Sequence, residues 1–150
     1  MKLAEALVLR KDMQTLISRL RDRLFSNVLV QDGDTPSEDP QELIARLEDT
    51  FQKLTELIAR INKTNAQTLL ESAPLSDAIT KRDLMMRRIS IMREVLKKAA
   101  DRPDRYSRKE ILLLTPLDVQ EEEKKLDRLS YEVRLLDARI QAKNWEVELL

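Results

Sequence analysis

LIARINKTN, residues 57–65, returns near the other end of the chain as LDARIQAKN, residues 136–144. The chain reads as containing itself twice. Outward from the first copy, Leu43, Leu47, Thr50, Leu54, Leu57 and Ile61 recur every three or four residues, the mark of a helix with one buried stripe. Leu47, Leu54, Leu57 and Ile61 align with Leu126, Val133, Leu136 and Ile140 at an offset of 79. Ahead of these helices lie two more. Leu3, Ala6, Leu7, Met13, Ile17, Leu20 and Leu24 match Leu75, Ala78, Ile79, Met85, Ile89, Met92 and Leu96 at a constant offset of 72, and Arg10 and Glu5 match Arg82 and Asp77.

The segments between the helices supply boundaries. Asp39-Pro40-Gln41-Glu42 offers an N-cap, a proline at the first helical position and a capping acid, and Thr115-Pro116-Leu117-Asp118 offers the same in kind. Ser72-Ala73-Pro74 must end the second helix, because proline lacks the amide and its ring displaces the preceding turn. Val28-Leu29-Val30 before Asp32-Gly33, and Ile111-Leu112-Leu113-Leu114, read as short strands. The fold expected is mainly α: a single domain, 1–150, of two internal repeats (about 3–70 and 75–150), each helix–strand–helix. Together they form a four-helix antiparallel, coiled-coil-like bundle about a pseudo-twofold axis, with strands 28–31 and 111–114 pairing as a two-stranded ribbon across it.

Composition narrows the chemistry. Of 150 residues, 36% are charged, 3% are aromatic and one is glycine, a profile of long helices. Basic and acidic residues balance at 27 each, so no net field draws the chain to nucleic acid or an anionic membrane. With neither cysteine nor histidine, disulfides, thiolate catalysis, the usual zinc sites and imidazole-based triads are excluded. Glu5 follows the start at once and no long apolar run exists, so the expected location is cytoplasmic, with no membrane partner. No cofactor or metal is expected. Glu121-Glu122-Glu123 is explained by the positive end of a helix dipole.

The run Met1-Lys2-Leu3-Ala4-Glu5-Ala6-Leu7, the Asp39-Pro40 helix start, Ile61-Asn62 with Thr64-Asn65, the segment Asp104-Arg105-Tyr106-Ser107-Arg108 and the terminal Asn144-Trp145 form a set. Over nearly its full length the chain resembles a family of small bacterial cytosolic proteins of uncharacterised function, some labelled septicolysin. The resemblance implies a helical fold and carries no catalytic or binding residues with it. A cytolytic activity has no counterpart in the residues, which include neither an amphipathic β-hairpin of bilayer length nor an aromatic belt.

Three constellations merit weighing. Arg10 and Arg82 lie on apolar stripes, where a guanidinium is costly unless paired. Antiparallel helices would set Arg10 near Asn62 or Asn65 and Arg82 near Asn144, with Glu5 and Asp77 as counter-charges. This is a polar layer that fixes register, or alternatively a pair of pockets for an anionic small molecule. The basic loop 102–109, with Tyr106, would suit nucleic-acid backbone, but interleaved acids favour a solvated loop. A second apolar row on the second helix, Ile44, Phe51 and Ile58, calls with its counterpart in the other half for an additional packing partner. The function expected is therefore structural, a homo-oligomeric assembly or protein-interaction module without catalysis, the alternative being a ligand-binding protein or enzyme built on the arginine–asparagine layer.

Overall fold

The computed structural model describes residues 1–101 and 113–150. Four helices dominate: α1 (Leu3–Asn27), α2 (Pro40–Gln67), α3 (Leu75–Ala100) and α4 (Val119–Glu146), packed in pairs, with a two-stranded antiparallel ribbon of β1 (Leu69–Leu70) and β2 (Ala73–Pro74) between α2 and α3. The chain divides into two compact units, 1–76 with 141–150, and 77–140.

In the first unit α1 and α2 form a hairpin. Leu20, Leu24 and Leu43 are its buried centre, with Leu16 and Leu47 packed against them. Leu20 and Leu24, near the end of α1, pack with Leu43, near the start of α2, as two antiparallel helices joined by a short connection require. The connection is fixed by polar groups. Arg23 donates through Nε to Glu38 Oε2 at 2.9 Å and through Nη2 to the other carboxylate oxygen, and buried Asn27 donates to the Arg23 carbonyl while accepting from the Glu38 amide. The Arg23 hydrogen bond holds the Glu38 carboxyl below the usual glutamate range. At the α2 start, Asp39 accepts from the Gln41 amide at 2.8 Å and Pro40 occupies the first turn, as the sequence reading expects.

The ribbon differs in place from the one expected. Val28, Leu29 and Val30 are exposed and irregular, not a strand. The Asp-Gly signal does make its turn, with the Asp34 amide donating to the Gln31 carbonyl and Gly33 at φ 89°, but among the described residues no strand pairs beside it. Leu113 and Leu114 are likewise irregular and exposed, while Ile111 and Leu112 lie outside the described residues. The ribbon instead uses Leu69 opposite Pro74 and Leu70 opposite Ala73. Its two-residue loop puts Glu71 at φ 59°, a left-handed conformation usually given to glycine or asparagine.

The two chain ends make a matching junction in the same unit. Lys2 pairs with Glu148 as an antiparallel bridge, the Leu3 amide donates to the Val147 carbonyl and the Leu149 amide to the Met1 carbonyl. In the ribbon, the Leu75 amide donates to the Thr68 carbonyl at 2.7 Å. Helix α3 starts 72 residues after α1, and α4 starts and ends 79 residues after α2. Those two offsets carry each bond of one junction onto its equivalent in the other. The tail is stitched down further: the Leu150 amide donates to Thr64 Oγ1, and Arg60 donates to the Leu150 carbonyl at 2.8 Å. Leu149 is buried, whereas Trp145 is exposed.

In the second unit, Ile89, Leu96, Val133, Leu136 and Ile140 are buried. Met85 and Met92 are half-buried, as core packing requires, but Met86 is exposed. The α4 cap is displaced from its expected position: Asp118, not Thr115, caps the helix, accepting from the Glu121 amide at 3.1 Å. Thr115 accepts from the Leu117 amide in a local turn that ends before the helix begins.

Candidate functional site

The two arginines have different surroundings. Arg82, its side chain 20% exposed, donates from Nη1 to Asp137 on α4 at 2.9 Å and from Nε to the neighbouring Asp83 at 2.9 Å. Burial pulls its pKa down, but the hydrogen bonds to Asp83 and Asp137 together outweigh that and raise it above the ordinary arginine value. Arg10 is half-buried and, among the described residues, has no hydrogen-bonding or ion-pairing partner. The reason lies in the aligned sequence. Where Arg82 has Asp83 and Asp137, the positions 72 and 79 earlier are Lys11 and Ile58. The counter-charge of Arg82 on α4 is thus Asp137, seven residues before Asn144 on the same helix, not the expected Asp77.

The asparagines are also dispersed in character. Asn62 is exposed, Asn65 half-buried, and Asn144 is 3% exposed, its Oδ1 without a hydrogen-bond partner among the described residues. Neither Asn62 nor Asn65 bonds to Arg10. The aligned Asn65 and Asn144 thus share a side chain but not its burial, and Asn62 aligns with Gln141. Loop 102–109, including Tyr106, lies outside the described residues.

Concave surface is shallow. One depression of about 500 Å3 is lined by α3 alone, through Asp77, Thr80, Lys81, Leu84, Met85 and Arg88. A second, of about 310 Å3, lies between α3 and α4, with Arg88, Lys125 and Arg128 facing Glu122 and Glu132. Its charges satisfy one another in part: Lys125 bonds Glu122 at 2.7 Å, a pairing that raises the lysine pKa. Among the described residues no group of three or more carboxylates could hold a metal ion, and no helix is long and apolar enough to cross a membrane.

The apolar row of α2 has a clearer character. Ile44 is 37% and Phe51 50% exposed, and Ile58 is half-buried, so among the described residues nothing fully covers the first two. Their spacing of seven places all three on one helix face, distinct from the stripe Leu43, Thr50, Leu54, Leu57, Ile61 and Thr64 that is buried. The expected counterpart row is missing: the positions 79 later are Glu123, Ser130 and Asp137, all polar. The row belongs to the first hairpin alone.

Comparison with known proteins places the chain without assigning an activity. The sequence model of a family of unknown function, DUF6847, matches residues 10–149. The chain belongs to the DUF6847 family. The crystal structure of a functionally unknown conserved protein from Corynebacterium diphtheriae is similar at a TM-score of 0.93 and 38% sequence identity, covering 100% of this chain and 99% of that one. At that level the likeness extends over the whole length of this DUF6847 member. No curated protein matches the chain.

Proposed function

We propose that this chain is a cytoplasmic, non-catalytic interaction protein that associates with copies of itself. One observation carries the reading: the row Ile44, Phe51 and Ile58, at heptad spacing, leaves a phenylalanine half exposed on a rigid helix. Isolated exposed apolar residues are ordinary, but an aligned row offers another helix a seam. An internal duplication underlies the scaffold in this reading, supported by the matched junction hydrogen bonds and the equal lengths of α2 and α4, 28 residues each. The resemblance to septicolysin-labelled proteins contributes the helical fold and nothing about activity.

The alternative, an anionic-ligand site on Arg10, Arg82, Asn62, Asn65 and Asn144, has less support, because Asp83 and Asp137 already occupy the Arg82 guanidinium. The test is mass in solution. Native mass spectrometry and light scattering of the wild-type protein are expected to give a defined oligomer without added ligand mass, and Phe51→Asp to give a monomer with unchanged helical circular dichroism. A wild-type monomer, or an oligomer that survives Phe51→Asp, would refute the proposal.

A further inference from the structure

The α2 face has a charge pattern that also says how a second copy would lie on it. Within the strip of residues 44, 48, 51, 55 and 58, Glu48 is the one charged side chain. Other charges of α2 point elsewhere: Lys53 is bonded to Asp49 at 2.7 Å, and Arg60 reaches the chain end. Ala45 and Ala59, on the flank of the strip, leave room for close approach of another backbone.

We infer that two copies pair through α2 in antiparallel register about a twofold axis at Phe51. In that register Phe51 meets Phe51, Ile44 meets Ile58 of the second copy, and Glu48 comes level with Leu54 of the second copy, one residue, about 1.5 Å, from Thr55. Apolar groups of the strip face apolar groups, and the single charge lies within a residue of a hydroxyl and about six residues along the axis from its own copy. The patch is then self-complementary, as an isologous twofold contact demands. Parallel pairing in register would keep Phe51 on Phe51 but stack Glu48 on Glu48, a like-charge apposition that weakens a helix seam. The α2 charge pattern therefore selects the antiparallel arrangement, which rests on the self-association proposed above and adds its geometry.

A cysteine-free chain makes the test direct. Lys63 is exposed and lies off the strip, so a nitroxide at Lys63→Cys reports on α2 without entering the seam. In the antiparallel pair the two labelled positions are each twelve residues from the axis, about 36 Å apart along it, whereas parallel pairing leaves only the lateral separation of roughly 10–20 Å. Pulsed dipolar spectroscopy on full-length labelled protein is expected to give one distance near 35–45 Å. A second variant reads the same geometry through affinity. Thr55→Lys, placed beside Glu48 of the second copy, is expected to tighten association by a factor of about two to five, whereas in the parallel pair it would stack lysine on lysine and loosen it. A dimer with the short distance, or one loosened by Thr55→Lys, overturns the antiparallel register and leaves self-association standing. A chain that stays monomeric at about 100 μM overturns both.

Discussion

Arg82 shows how two aligned residues come to have different roles. It joins α3 to α4 through Asp137, and Arg10, 72 positions earlier, has neither acid within reach because the corresponding positions are lysine and isoleucine. Replacing Arg82 by methionine is expected to destabilise the protein by about 0.5–1 kcal/mol, the scale of a half-exposed ion pair, while Arg10→Met should leave stability unchanged or raise it slightly. Urea unfolding midpoints of the two variants check this; equal losses would mean that both arginines serve packing through their alkyl stems. Both arginines were legible in the sequence as unusual, because a guanidinium stands out on an apolar stripe. Partner identity was not, since it depends on helix register, and a shift of one turn exchanges Asp137 for a residue nearer Asn144.

Among the elements, the four helices were legible because each carries a strong three-four period, and the start of α2 because Asp39-Pro40 combines two boundary signals. The ribbon was not. Val28-Leu29-Val30 has strand-forming side chains but, among the described residues, no neighbouring strand, whereas Leu69-Leu70 and Ala73-Pro74 pair across a loop whose Glu71 gives no turn signal. Side-chain preference is a local quantity, but a ladder needs a partner, and the partner is chosen by how the helices deliver the chain. The junction of the chain ends adds an electrostatic element to the ladder. Glu148 accepts from Lys2 at 2.8 Å and from the Met1 ammonium at 3.0 Å, and the lysine hydrogen bond, followed by that of the amino terminus, holds its carboxyl below the usual glutamate range. A depressed carboxyl contributes stability above its unfolded value, near pH 4.3, and loses that contribution as pH falls through the folded value. Hydrogen exchange at the Leu3 and Leu149 amides should accelerate, relative to amides of the Leu70–Ala73 ladder, as pH drops from about 6 to about 3. Glu148→Gln should remove most of that difference.

For the whole molecule, the correspondence of the two junctions implies that the order of the hairpins along the chain is interchangeable. In the ribbon two residues, Glu71 and Ser72, separate the paired Leu70 and Ala73. At the other junction Leu149 and Met1 hold the same positions with Leu150 alone between them, so one glycine inserted between Leu150 and Met1 restores a two-residue loop. A permutant so joined and opened between Glu71 and Ser72 is expected to keep its helical signal and to unfold cooperatively within about 1 kcal/mol of the parent, because loop lengths are nearly unchanged. Loss of helical signal would show that the central connection is needed to form the fold. The same junction has a mechanical consequence. Met1 and Leu150 leave the bridge side by side, so tension applied between them would load the Leu149, Lys2–Glu148 and Leu3 bonds one after another instead of all together. Drawn from its two ends, the protein should peel open like a zipper at low force, while a pull across the Leu20–Leu43 seam would have to shear packed helices past each other.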